Sequence, residues 1–175
     1  MRLEKTSVHP AKTEAVWLRL LWGRRPVWTA ARIFVLITAS LSIFKWVLHP
    51  VRITGKSMEP TYYDGQIGFI NSLAYVWHLP QRGDVVGFRH AEGEQIIIKR
   101  VIGLPGERVA FHSGTVFING KRIIEPYLLA KGAWEWPEET VGEKTYFVTG
   151  DNRLISQQFR VEGSKILGKI HSWHP

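Results

Sequence analysis

Apolar residues are arranged in two different ways along this chain. From Ile33 to Leu48 they form an almost unbroken run, whereas after residue 50 they occur in short runs separated by glycine and proline. A spanning helix needs roughly 17 apolar residues or more, and short interrupted runs are typical of strands. The pattern predicts a transmembrane anchor over residues 32–50, followed by a β-rich domain over 51–175.

Short strand-like runs fill the second part of the chain. Asn119-Gly120 separates two of them and predicts a tight hairpin, because both residues tolerate positive φ. Strands joined by Gly-rich turns predict a mainly β fold, either a barrel or a sandwich. The predicted strands are Ile67–Ile70, Asp84–Phe88, Gln95–Ile102, Arg108–Phe111, Val116–Ile118 and Lys144–Val148.

Basic residues concentrate before the apolar run. The net charge is +8, and most of it comes from the region up to Arg32, which suits a cytoplasmic or interfacial segment over residues 1–31. Since positive charge stays on the cytoplasmic side, we expect a single-pass protein of the cytoplasmic (inner) membrane, with the N-terminus inside and residues 51–175 on the extracytoplasmic face. This distribution argues against nucleic acid as a partner. The upstream basic residues are Arg2, Lys5, Lys12, Arg19, Arg24, Arg25 and Arg32.

Two other interpretations of the apolar run are a core helix of a soluble protein and a cleavable secretory signal. The upstream basic residues favour an anchor over the first. A secretory signal is less favoured because a long, mostly polar segment precedes the run and no small-x-small cleavage site follows it.

Trp134 and Trp136 suit either the membrane interface or a cap on the core.

A serine and a lysine are the candidate reactive groups. Ser57 lies shortly after the apolar run, and Lys99 interrupts the apolar stretch Ile96–Ile102. A serine needs a base to take its proton, and a lysine serves as one when desolvation lowers its pKa. A strand lysine whose tip reaches solvent is the plainer alternative. The chain contains no cysteine, and its histidines show no metal-binding spacing, so we expect neither a metal nor an organic cofactor.

Four blocks of this sequence resemble the bacterial type I signal peptidases, which are membrane-anchored Ser-Lys endopeptidases. Together they span about residues 51–170, and their order makes the resemblance specific. The blocks are Gly55-Lys56-Ser57-Met58-Glu59-Pro60-Thr61, Arg82-Gly83-Asp84-Val85-Val86-Gly87-Phe88, Lys99-Arg100-Val101-Ile102-Gly103-Leu104-Pro105-Gly106-Glu107 and Gly150-Asp151-Asn152-Arg153-Leu154-Ile155-Ser156.

The resemblance implies a signal-peptidase-like β-barrel or sandwich and a role for each matched residue. Ser57 would be the acyl-forming nucleophile, Lys99 the general base and Ser156 the hydroxyl that orients the lysine. Gly55, Ser57 and Met58 would form the oxyanion and substrate-binding site, with a backbone donor at Gly55. Structural support would come from Asp151, Asn152, Arg153 and Arg160.

The last block departs from the family pattern. Where the family continues Ser-x-Asp-Ser-Arg, this chain has Ser156-Gln157-Gln158-Phe159-Arg160. The departure leaves open a non-catalytic, membrane-tethered β scaffold as an alternative to an enzyme.

The resemblance also implies partners. We expect a monomer that cleaves signal peptides from exported preproteins at the lipid bilayer. A peptidase dedicated to pilin or conjugation substrates is a narrower alternative. A self-cleaving repressor is disfavoured, because an apolar span occupies the place of a DNA-binding domain.

Overall fold

The computed structural model describes residues 26–89 and 95–172. Residues 1–25, which hold most of the predicted basic segment 1–31, therefore lie outside the described part. The chain divides into two compact units, 1–43 and 44–175.

Helix α1 spans Pro26–Trp46. A proline suits the first turn of a helix, where its missing N–H costs no hydrogen bond, and Lys45 in the last turn interacts favourably with the helix dipole. Among the described residues, Val27–Trp46 is the helix long and apolar enough to cross a membrane, with a mean hydropathy of 1.8. The helix starts before residue 32, where the predicted anchor 32–50 begins. It also ends before residue 50, because Leu48-His49-Pro50 already belong to a strand.

Eleven strands form two antiparallel sheets within the described residues, which confirms the predicted mainly β fold. The larger sheet has the order β1-β2-β11-β3-β4-β9-β10, and the smaller one has the order β7-β6-β5-β8. Short 3-10 helices cover Ser72–Tyr75 and Gly163–Lys165. The strands are β1 Leu48–Arg52, β2 Ile67–Asn71, β3 Val85–Arg89, β4 Ile96–Gly103, β5 Arg108–His112, β6 Thr115–Ile118, β7 Lys121–Arg122, β8 Trp136–Thr140, β9 Thr145–Thr149, β10 Gln158–Glu162 and β11 Ile166–Ser172.

The six predicted strands are present, with shifts of at most one residue at their ends. The predicted hairpin is also present, with φ values of 51° at Asn119 and 76° at Gly120. Strands β1, β8, β10 and β11 were not predicted. Of these, β11 lies inside the large sheet, where it pairs with both β2 and β3.

Three apolar clusters hold the β domain together. One lies at the small sheet and includes Phe111 and Phe147; Trp134 and Trp136 pack against it, so both tryptophans contribute to the core. The other two lie on opposite faces of β3, because Val85 belongs to one and Val86 to the other. The cluster containing Val85 also includes Met58, which fixes the loop after β1 against the large sheet.

Candidate active site

Ser57 and Lys99 come together from distant parts of the chain. Ser57 lies in the loop after β1, where the buried side chain of its neighbour Met58 holds the backbone in place. Lys99 lies in the middle of β4. Lys99 Nζ is 2.7 Å from Ser57 Oγ, within hydrogen-bond reach. This geometry is the one a base needs to take the hydroxyl proton.

Burial tunes the lysine for that task. The Lys99 side chain is only 5% exposed, so its charged form loses hydration. Desolvation lowers the pKa of Lys99 to about 8, while the negative charge of Asp151 opposes the shift. A substantial fraction of Lys99 is consequently neutral in mildly alkaline solution, and a neutral amine accepts a proton.

Gly150 lies between the serine loop and Ser156. A Cβ atom at position 150 would lie 2.1 Å from the Ser57 carbonyl oxygen and 2.5 Å from Ser156 Oγ, so only glycine fits. The Gly150 N–H donates to Ser156 Oγ at 2.6 Å, and Ser156 Oγ donates to the Gln157 carbonyl at 3.1 Å. Ser156 thus lies beside the dyad with its hydroxyl bound to backbone. Its role in orienting Lys99 stays a prediction.

Asp151 is the buried acceptor of an ion pair with Arg100. The guanidinium donates from Nε at 2.7 Å and from Nη2 at 2.5 Å to the two carboxylate oxygens. Thr61 Oγ1 donates to the same carboxylate, and the Tyr127 ring lies 4.0 Å from the guanidinium carbon. Desolvation by burial tends to lower the pKa of Arg100, but hydrogen bonding to Asp151 and the attraction of its carboxylate outweigh it and raise that pKa, so the guanidinium stays charged. Sequence reasoning gave no role to Arg100, Thr61 or Tyr127.

Asn152 and Arg153 tie the loop after β9 to its surroundings. The Asn152 N–H donates to the Ser57 carbonyl at 3.0 Å, which connects this loop directly to the nucleophile. Arg153 is buried; its Nε donates to the Gly150 carbonyl at 3.1 Å and its Nη1 to Glu125 at 3.0 Å. Glu125 was not predicted from the sequence, because nothing near it in the chain indicates its partner.

Comparison with known proteins identifies the family. The family model described as signal peptidase, peptidase S26, matches residues 27–173. The chain belongs to this family. It is 37% identical over 166 residues to signal peptidase I of Bacillus caldolyticus, covering 85% of this chain and 88% of that protein. Identity to signal peptidase I of Bacillus amyloliquefaciens is 34% over 150 residues, with 79% and 74% covered.

Among solved structures, a signal peptidase I from Enterococcus faecalis V583 is similar to this chain. The sequence identity is 31% and the TM-score 0.47, with 51% of this chain and 95% of that chain covered. Family membership makes the present chain a serine peptidase with an apolar N-terminal helix.

The two predicted oxyanion donors, the backbone N–H groups of Ser57 and Gly55, differ in whether they already make a hydrogen bond. No hydrogen bond within residues 26–89 and 95–172 uses the Ser57 N–H, which leaves it available for a substrate oxygen. The Gly55 N–H instead donates to Asp64 Oδ1 at 2.8 Å. It reaches an oxyanion only after leaving that carboxylate, so the predicted function of Gly55 as a donor requires a change in the loop.

Phe159, which departs from the family pattern in the last block, is accommodated by apolar packing. Phe159 lies edge-on to Phe88, with ring centroids 5.7 Å apart, and joins the apolar cluster of Val86. Arg160 pairs with Glu139, to which its Nε donates at 2.9 Å, and lies over the Trp136 ring. Its contacts thus connect β10 to β8 and do not involve Ser57 or Lys99.

A groove of about 100 Å³ adjoins the dyad. Its walls are residues 52–55 with 57–58 on one side and residues 95–99 on the other. In this part of β4, Ile96–Lys99 pair with β3, and pairing with β9 begins only at Arg100. One edge of β4 therefore offers free backbone groups to the groove. In the segment following β1, by contrast, the N–H and carbonyl of Ile53 and the N–H of Gly55 already make hydrogen bonds.

Proposed function

We propose that this protein is a membrane-anchored endopeptidase that cleaves signal peptides from exported preproteins with a Ser57–Lys99 dyad. The observation that carries the proposal is the 2.7 Å contact between a serine hydroxyl and a lysine amine of lowered pKa. Membership of the signal peptidase family supports the substrate class. The same contact favours an enzyme over a non-catalytic scaffold, because the two side chains point toward each other.

The reaction follows from the positions of these groups. Ser57 Oγ attacks the scissile carbonyl while its proton passes to neutral Lys99 Nζ. The Ser57 N–H donates to the oxyanion, and an oxyanion donor is worth roughly 3 to 4 kcal/mol. Lys99 then gives its proton to the leaving amine, which breaks the peptide bond and leaves an acyl-enzyme. Lys99 then takes a proton from water, whose oxygen attacks the ester carbonyl. As the ester bond breaks, Lys99 returns the proton to Ser57 Oγ, which releases the carboxylate product and restores the serine.

The groove suits an extended substrate. A peptide strand entering it finds unpaired backbone groups along the edge of β4, and strand addition uses such groups for affinity. The groove volume of about 100 Å³ favours small side chains beside the scissile bond, as in A-x-A cleavage sites. A dyad formed by Ser57 and Lys99 of the same copy needs no second copy of the chain, so we propose that the protein acts as a monomer.

The apolar helix α1 supports anchoring in the cytoplasmic membrane. The basic residues before it favour a cytoplasmic N-terminus and an extracytoplasmic β domain. Protease treatment of sealed inside-out vesicles tests this orientation: the β domain should be protected inside the lumen. Its digestion before the vesicles are opened would contradict the orientation while leaving the dyad proposal intact.

Cleavage of a preprotein by the purified full chain tests the dyad. Ser57→Ala and Lys99→Ala should each abolish the appearance of mature protein, whereas Ser164→Ala and Lys121→Ala, exposed residues away from the dyad, should retain full activity. Circular dichroism of each variant confirms that it is folded. Processing by either dyad variant at the wild-type rate would refute the mechanism.

A further inference from the structure

A cavity separate from the groove of the dyad lies where β3 and β10 approach each other. Its volume is about 270 Å³, whereas the groove measures about 100 Å³, and the two share no lining residue. The lining consists of Phe88 and Arg89 at the end of β3, residues 158–161 of β10, and Lys165. We call this cavity the β10 pocket. The edge-on contact between Phe88 and Phe159 gives it an apolar part.

The β10 pocket carries positive charge without a counter-charge. Its lining contains three cations and no Asp or Glu. Arg160 pairs with Glu139, which neutralises its charge. Arg89 and Lys165 are exposed, and neither pairs with an acidic residue among residues 26–89 and 95–172. Arg89 ends β3 and Lys165 immediately precedes the antiparallel neighbour β11, so both lie at the same end of the sheet. Two such cations attract an anionic occupant.

The shape of the β10 pocket suits an extended peptide. Within the described part of the chain, β10 is the last strand of the large sheet and pairs with β9 alone, so its other edge faces no strand. Four successive residues of β10 line the pocket. Because successive side chains of a strand point to opposite faces, a lining of this kind follows the strand edge. A peptide adds to such an edge by backbone pairing, with its side chains reaching the neighbouring groups.

The composition of a preprotein decides which of its segments complements this charge. A signal peptide has a basic start, an apolar middle and small residues before the cleavage site, and none of these carries negative charge. An acidic segment therefore belongs to the mature part, after the scissile bond. Gln158, the first residue of β10 in the pocket, follows Ser156 of the catalytic loop by two positions. Two extended residues span about 7 Å, so a mature segment of a few residues is long enough to reach the pocket.

We propose that the β10 pocket binds an acidic, extended segment of the mature part of the preprotein, at a site separate from the groove beside the dyad. The proposal rests on the cleavage of preproteins proposed above. Arg89 and Lys165 would pair with the acidic side chains, while the edge of β10 pairs with the peptide backbone. Preproteins with acidic residues early in the mature part are then bound more tightly than others.

Cleavage of matched preproteins by the purified full chain tests the proposal. One preprotein has ten neutral residues after the cleavage site, and its derivatives carry a pair of adjacent Asp or Lys residues moved stepwise through those ten positions. The enzyme variants are Arg89→Gln with Lys165→Gln, and the corresponding double change to Glu. Lys121→Gln with Arg122→Gln is the matched control, because it removes one exposed lysine and one exposed arginine from the small sheet. Both kcat and KM are measured at low and high salt.

We expect the Asp pair to raise kcat/KM of the wild type about threefold to tenfold over the neutral preprotein, at one or two neighbouring placements only. The gain should come from a lower KM, since the contact lies away from the scissile bond, and should fade at high salt. In Arg89→Gln with Lys165→Gln, the ratio of acidic to neutral cleavage should approach one. The double change to Glu should favour the Lys pair instead, and the control should keep the wild-type ratio.

An acidic preference that is absent from the wild type, or unchanged in Arg89→Gln with Lys165→Gln, overturns the inference. An equal loss for acidic and neutral preproteins, with no preference for Lys in the double change to Glu, would assign the two residues a structural role and overturn it too. A lipid headgroup is the occupant if these variants instead lose a dependence of activity on phosphatidylglycerol at an unchanged ratio, which also contradicts the proposal. In each case, cleavage of the neutral preprotein by the wild type leaves the proposed function standing, whereas its absence overturns both.

Discussion

At the scale of single residues, the pKa of Lys99 decides what the site can do. The strand position puts the amine in an apolar environment that lowers its pKa, and the nearby Asp151 carboxylate limits the shift. A fully exposed lysine would be almost entirely protonated near neutral pH. The pKa of about 8 places Lys99 where it is able both to accept and to return a proton.

The pH dependence of cleavage measures the pKa of Lys99. We expect kcat/KM to fall on the acidic side, with a midpoint near pH 8 as Lys99 becomes protonated. Asp151→Asn removes the charge that raises the pKa of Lys99, so its acidic limb should move to lower pH, whatever the loss in rate. Asp64→Asn, which changes a carboxylate bonded to Gly55, is the control and should leave the midpoint unchanged. An acidic limb that moves upward in Asp151→Asn would contradict the assignment.

The same shift in pKa affects stability. The pKa of Lys99 in the folded chain lies below 10.5, the ordinary value that applies to lysine in the unfolded chain. Between pH 8 and 10.5 the unfolded chain therefore binds more protons than the folded one, and the free energy of unfolding should rise with pH through this window. Lys99→Met removes the cost of the buried charge. We expect it to raise the melting temperature at pH 7, by an amount corresponding to roughly 1 to 3 kcal/mol, while activity is lost. Lys121→Met, an exposed control, should leave both unchanged; a lower melting temperature for Lys99→Met would refute this account.

At the scale of structural elements, the loop after β9 positions the catalytic groups. Gly150 allows Ser156 and the Ser57 carbonyl to approach from two sides, and the Asn152 N–H binds that carbonyl. The first half of β4, Ile96–Lys99, supplies Lys99 and leaves one backbone edge free. The site therefore consists of three segments held by backbone contacts, and it is sensitive to the addition of a single carbon.

Gly150→Ala tests this dependence. The added Cβ would lie 2.1 Å from a backbone oxygen, which forces the serine loop away from Lys99. We expect kcat/KM to fall by about 100-fold or more, since small misplacements of reacting groups are that costly. Gly163→Ala is the matched control, because its Cβ would come no closer than 3.4 Å to a neighbour. Equal activities of the two variants would show that the close approach at Gly150 is not needed.

At the scale of the whole β domain, a buried ion pair connects the small sheet to the catalytic loop. Glu125 follows β7, Arg153 follows β9, and the two side chains are 4% and 0% exposed. Arg153 also lies near the rings of Phe111 and Trp134, in the cluster at the small sheet. Loss of either partner would leave a buried charge without its counter-ion, so the pair couples the packing of the small sheet to the position of Gly150.

Urea unfolding of paired variants measures that coupling. Glu125→Gln should lower the free energy of unfolding by about 3 to 5 kcal/mol, because Arg153 is left buried without its counter-ion. Glu138→Gln breaks the Arg108 pair, whose side chains are 55% and 45% exposed, and should cost about 1 kcal/mol or less. Similar losses in the two variants would mean that the buried pair contributes no more than a surface one.

Local sequence patterns determined a large part of this protein. The apolar run, the β-type runs, the Asn119-Gly120 hairpin and the Ser57 and Lys99 blocks could all be predicted, because each depends on residues close together in the chain. The central strand β11 could not be predicted, since Gly168 and Lys169 interrupt its apolar pattern and its neighbours β2 and β3 stabilise it. The C-terminal end of α1 also differs from the predicted anchor, because the pairing of Leu48–Arg52 with β2 competes with helix.

Only the tertiary structure decided how the site is supported. The bond from Gly55 N–H to Asp64, the Arg100–Asp151 and Arg153–Glu125 pairs and the packing of Phe159 on Phe88 all join residues that the sequence gives no reason to connect. The exposure of Trp77 and the packing of Trp134 against the core likewise could not be distinguished by composition. Periodicity specifies which face a side chain takes, whereas the distance between two reactive atoms depends on how separate segments pack together.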